Sequence, residues 1–136
     1  ELTMAYSVRA AGKEAERLNR IHEVQGAAIA QNILASIGFD SWLIDKILEI
    51  VKRHDSGKNA YSREEKVARD ADKLWRYSDI GFWYEIERQA LDPRAYYDYL
   101  ASRCQTYFFT QTAPTLAKKE LERRFKETRV LNNKRT

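Results

Sequence analysis

Residues 54–74 read HDSGKNAYSREEKVARDADKL, and the two ends of this stretch follow a helical period while its middle does not. Backwards from His54, Val51, Ile50 and Ile47 recur in steps of three and four, so the imidazole continues an apolar helix face. Asp55–Tyr61 carries Ser56, Gly57 and Asn59, which is turn chemistry. Ser62 followed three residues later by Glu65 forms a capping box. A new helix is therefore expected from Arg63, with Asp72 in its third turn, and the short loop is expected to bring His54 and Asp72 near each other.

The same pattern of helix, turn and helix extends in both directions. Upstream, a helix is expected from about Lys13 to Ile37, with a break allowed before His22 and with Val24, Ala28, Ile33, Leu34 and Ile37 facing inward. Gly38 ends it, and Asp40 or Ser41 caps the next helix, which runs through Ile44, Ile47, Leu48 and Val51 to His54. Downstream, helices are expected over Gly81–Ala90, from Pro93 to about Thr110, and over Thr115–Arg129. Asp92 and Pro93 serve as N-cap and first residue of the second of these. Tyr97, Leu100, Cys104, Tyr107 and Phe108 form one apolar side of that helix, and Leu116, Leu121 and Phe125 form that of the last. Pro114 is expected to separate the two. Residues 1–12 are expected to be a loop or frayed end, and 132–136 a disordered tail. With no strand pattern, repeat or linker, the fold class is all-α: one helical domain over 1–131, a bundle of five or six helices.

Composition agrees. The 136 residues allow one domain with a real core. An aromatic content of 12% against five Gly and two Pro favours a compact helical chain, and the aromatic residues at helical spacing are expected in its core. The single Cys104 cannot form an internal disulfide, which points to a reducing compartment, the cytoplasm. No apolar run is long enough to cross a membrane. The net charge of +4 comes from 24 basic residues interspersed with 20 acidic ones, which argues against a nucleic-acid surface. There is no Gly-rich phosphate loop, paired-cysteine zinc spacing or serine-nucleophile signature.

The candidate chemistry rests on three residues. His22 lies on a row with Leu18, Gly26, Ile29 and Ile33, where Gly26 leaves space beside the ring; His54 ends its own apolar row. Asp72 adjoins Val67, Ala71 and Leu74, and a carboxylate so placed seeks a cation. Asp70 has Lys66 and Lys73 at helical spacing and is expected to be a solvated surface ion pair. Each residue has an ordinary alternative. A histidine on an apolar face is commonly a core residue, His54 suits a helix C-terminus, and Asp72 can pair with Arg76 or Arg69. The combination favours a metal centre, because the chain's two histidines both fall on apolar rows and a carboxylate follows on the next helix.

Three segments together resemble the HD-domain superfamily of metal-dependent phosphohydrolases: His22-Glu-Val-Gln-Gly-Ala, Ile50-Val-Lys-Arg-His54 and Asp70-Ala-Asp72-Lys-Leu. Phe109-Thr-Gln-Thr and the charged helix after it extend the resemblance over roughly Arg20 to Arg129, the C-terminal two-thirds of such a domain. The resemblance implies a helical bundle holding one or two divalent metals, with His22 and His54 as the two histidines of binuclear members and Asp72 as the final metal-binding aspartate. The family's adjacent His-Asp pair lies upstream of the position of His22, where this chain has no histidine. The pair His54-Asp55 stands instead at the place of the later histidine. The chain is accordingly expected to lack the N-terminal helices of a longer protein, and with them part of the ligand set.

Imidazoles and a carboxylate suit Mn²⁺, Fe²⁺, Co²⁺ or Ni²⁺, with Mg²⁺ also admitted. The expected activity is hydrolysis of a nucleotide or similar small phosphoester by metal-activated water. Lys58, Lys73 and Arg76 are candidates to balance substrate phosphate, Lys58 foremost because its loop joins the two ligand-bearing helices. The alternative is a non-catalytic HD-like module that senses a ligand or binds a protein, and a homodimer is compatible with either.

Overall fold

Across residues 13–133, which the computed structural model describes, the chain forms six helices and no strand. They are α1 (Lys13–Ser36), α2 (Ser41–Val51), α3 (Arg63–Trp75), α4 (Asp79–Gln89), α5 (Pro93–Arg103) and α6 (Thr112–Asn133). The all-α class expected from periodicity is what the backbone adopts. No helix among the described residues is long and apolar enough to cross a membrane. The backbone divides into two compact units, Glu1–Glu65 and Lys66–Thr136, with the boundary inside α3.

In the first unit small residues decide how α1 meets α2. Ala27, Ile44 and Leu48 are buried, with Ala30, Leu34 and Val51 packed against them. A Cβ built on Gly26 would sit 3.6 Å from Val51 Cγ1, an ordinary contact, so Gly26 faces α2. Of the side chains expected inward, Val24, Ala28, Ile33 and Ile37 are exposed and only Leu34 joins the core. The helix turns its Ala27–Ala30–Leu34 row inward because those smaller side chains permit close approach. Burial of Leu48 is worth about 1.5–3 kcal/mol. α1 runs unbroken through His22 and stops at Gly38, whose φ of 75° is the left-handed region that glycine enters without strain. Asp40 takes the N-cap position of α2 without a side-chain capping bond. α2 ends at Val51, so His54 lies in the turns that follow rather than on the helix itself.

In the second unit Tyr77, Phe82, Tyr96, Leu100, Cys104, Ala117 and Leu121 form the core, so much of the aromatic content is structural. Trp75, Tyr84 and Tyr99 are exceptions and remain exposed. Gly81 is required in the first turn of α4, because a Cβ there would lie 1.9 Å from the Trp75 carbonyl oxygen. Its amide donates to Ser78 Oγ at 3.1 Å, capping the helix. Asp92 caps α5 by accepting from the Ala95 amide at 2.8 Å, with Pro93 in the first turn as expected. α5 ends at Arg103, short of the expected Thr110. Pro114 sits inside the first turn of α6, where a missing N–H costs no helical bond, and so it does not separate the helices. α6 packs through Ala113, Ala117 and Leu121, while Leu116 is exposed, contrary to expectation. It continues through Asn132 and Asn133, two residues expected in the tail. The expected loop over 1–12 and residues 134–136 lie outside the described residues. Cys104 is buried with its thiol 3.7 Å from the Pro114 carbonyl, and burial pushes its pKa up.

Asp70 is not a solvated ion pair. It is buried, and its carboxylate accepts from the amides of Phe109 and Thr110, each at 2.8 Å, and from Thr110 Oγ1 at 2.7 Å. Thr110 Oγ1 in turn accepts from the Ala113 amide at 3.4 Å. The aspartate therefore fixes the chain just before α6, which backbone donors without helical partners require.

Candidate metal centre

His22 lies on α1 and His54 in the turns after α2, and the packing of these two helices brings the rings edge to face, with centroids 5.3 Å apart. Asp55 completes a trio in which one potential ligand atom from each residue lies within 4.8 Å of the others. His54 Nδ1 is 2.8 Å from the Val51 carbonyl oxygen. A carbonyl can only accept, so Nδ1 carries the proton and Nε2 of the neutral ring keeps its lone pair. Nε2 stands 3.4 Å from Asp55 Oδ2.

Two buried carboxylates, Glu23 and the capping-box residue Glu65, hold the surrounding backbone. Glu23, adjacent to His22 and fully buried, accepts from the Asp55 amide at 3.0 Å, the Ser56 amide at 2.8 Å and Ser56 Oγ at 2.6 Å. It thereby ties α1 to the turn that carries Asp55. Its place on the packing row of Ala27, Ala30 and Leu34 was the available signal. Glu65, also fully buried, receives both Nε and Nη2 of Arg53 at 2.9 Å and the Tyr61 amide at 2.8 Å. The Glu65 amide donates to Ser62 Oγ at 3.0 Å, as the capping box requires, and the carboxylate holds Arg53 and Tyr61 as well. Arg53, stacked 4.8 Å from the Tyr61 ring centroid, is thus committed to structure.

Comparison with protein-family models, curated proteins and solved structures gives no match.

The donor set fits a first-row transition ion. Bonds of about 2.0–2.2 Å to histidine nitrogen and carboxylate oxygen place two ligands of one ion roughly 3–4 Å apart. The His54–Asp55 separation already falls in that interval, and the 4.8 Å limit for the trio asks a contraction of about 1 Å. Asp72 lies in the second unit on α3, half exposed, with Oδ2 3.5 Å from Arg76 Nη1. The apolar row expected beside it is not buried: Val67 and Ala71 are exposed, and α3 buries Glu65, Arg69 and Asp70 instead. Of the three candidate phosphate ligands, Lys58 is exposed on the loop after the trio. Lys73 Nζ donates to the Tyr107 carbonyl oxygen and lies 4.6 and 4.2 Å from the Tyr107 and Phe109 ring centroids. Burial lowers its pKa, opposed by Asp70. Arg76 lines a cavity in the second unit.

Proposed function

We propose that this chain is part of a metal-dependent phosphohydrolase of the HD type, acting on a nucleotide or similar small phosphoester. The observation that carries the proposal is the convergence of His22, His54 and Asp55 within 4.8 Å. His22 and His54 would hold the cation through imidazole nitrogen, with Asp55 as the carboxylate beside them. The chemistry such a cation would supply there is a bound water of lowered pKa, suited to attack on phosphorus. The Val51 carbonyl fixes the His54 tautomer, and Glu23 sets the turn from which the Asp55 side chain leaves. Lys58, exposed on the following loop, is suited to balance phosphate charge.

The test is metal content by elemental mass spectrometry after loading with Mn²⁺ or Ni²⁺ and removal of excess, followed by a screen of phosphoesters. His22→Ala and His54→Ala should each lose at least about tenfold in affinity, the scale that even outer partners of metal ligands carry. Asp55→Ala then shows whether its carboxylate participates. No bound metal in the parent chain, or full retention in the double histidine variant, would refute the assignment.

A further inference from the structure

The second unit contains a cavity of about 470 Å³, within the range of small-molecule sites. Its walls include Leu91 and Tyr99, and four polar groups, from Arg76, Glu85, Tyr96 and Tyr107, line it. Glu85 is more than nine-tenths buried, and both of its hydrogen bonds, from Arg88 and Gln89, fall on Oε2. Oε1 makes no hydrogen bond among the described residues. The Arg76 guanidinium has a single side-chain bond among them, a 3.5 Å contact with Asp72, out of five available donors. The hydroxyls of Tyr96 and Tyr107 have none, although Tyr96 is only 8% exposed. Burial, reinforced by the Glu85 carboxylate, raises the Tyr96 pKa, and burial raises that of Tyr107, so both phenols remain donors. Arg76, Glu85, Tyr96 and Tyr107 thus line one and the same cavity.

A guanidinium with two phenolic donors asks for an oxyanion; a carboxylate oxygen beside them asks for an N–H donor. A phosphate dianion would meet repulsion from Glu85, and a simple amine would meet repulsion from Arg76. A molecule with adjacent opposite charges satisfies both at once. We propose that this cavity binds a free α-amino acid with an apolar or aromatic side chain. Its carboxylate engages Arg76 and the hydroxyls of Tyr96 and Tyr107, its ammonium engages Glu85 Oε1, and its side chain rests against Leu91 and Tyr99. None of His22, His54 and Asp55 lines this cavity.

Isothermal titration calorimetry in the presence of EDTA tests it, with L-phenylalanine and L-leucine as probes. Phenethylamine, which lacks the carboxylate, and 3-phenylpropanoate, which lacks the amine, serve as comparisons. L-phenylalanine should bind saturably, and each comparison compound at least about tenfold more weakly, as expected for loss of a charged hydrogen bond. Arg76→Met should weaken L-phenylalanine without weakening phenethylamine, and Glu85→Gln should weaken it without weakening 3-phenylpropanoate. Tyr96→Phe removes one hydroxyl and keeps the ring in the core, so it guards against loss of binding through misfolding; it should weaken L-phenylalanine several-fold with helical circular dichroism unchanged. Absence of saturable binding by either amino acid up to about 10 mM, well above a millimolar dissociation constant, would overturn the proposal. So would equal affinity in the parent, Tyr96→Phe and Arg76→Met chains, or tighter binding of inorganic phosphate than of L-phenylalanine.

Discussion

Replacing Asp70 by alanine should be among the most damaging single changes in the second unit. The carboxylate accepts three hydrogen bonds of 2.7–2.8 Å from Phe109 and Thr110, and alanine supplies no acceptor. A buried donor left without a partner costs about 1–3 kcal/mol, and two amides and a hydroxyl are affected. The hydroxyl can turn elsewhere, so the two amides dominate and the loss should be about 3–5 kcal/mol, below the sum of independent bonds because the bonds share one carboxylate. Asp70→Asn keeps one acceptor oxygen and should cost about half as much; Thr110→Val removes the hydroxyl donor and the long 3.4 Å bond it accepts from the Ala113 amide, and should cost about 1 kcal/mol. Urea denaturation followed by circular dichroism measures all three. A loss of only about 0.2–0.5 kcal/mol in Asp70→Ala, the scale of a solvated helix pair, would refute the account of this aspartate. An inverted order, with Thr110→Val the worst, would refute its partition.

Other substitutions probe different contacts. Gly81→Ala forces a Cβ to 1.9 Å from the Trp75 carbonyl oxygen and should cost about 3 kcal/mol or more in urea unfolding. Glu23→Ala strips the Asp55 and Ser56 amides of their acceptor; in metal-free protein, hydrogen exchange at these two amides should accelerate at least about tenfold. Burial pushes the phenols of Tyr77, Tyr96 and Tyr107 above their ordinary pKa. The unfolded chain then releases these protons first, so their contribution to stability is intact below about pH 10 and is lost as pH rises beyond it. Denaturant midpoints measured across alkaline pH should fall in the parent and fall less steeply in Tyr96→Phe.

The helical class was legible because caps and periodicity agree along most of the chain: Gly38, Ser62 and Asp92 each stand where a helix begins or ends. Of the two histidines placed on helical rows, His22 does lie on α1, with Ile29 and Ile33 of its row exposed, while His54 lies in the turns after α2. The carboxylates were harder. Asp70 has lysines at helical spacing, but its hydrogen-bond partners lie 39 and 40 residues away, and local counting gives no weight to such partners. Its membership of a row with Leu74 and Tyr77 pointed inward all the same. Val24, Ile33 and Ile37 were misplaced because hydrophobicity ranks them above alanine, whereas close helix packing favoured the smaller Ala27 and Ala30.

Cys104 is the only thiol in the sequence, and it sits in the core of the second unit with its ionisation suppressed by burial. A thiolate is the reactive form, so a maleimide meets a closed door in the folded chain. The rate of its labelling is then a clock for transient opening of the α5–α6 region. A chain with one buried cysteine thus carries its own stopwatch, readable by mass without an introduced label site.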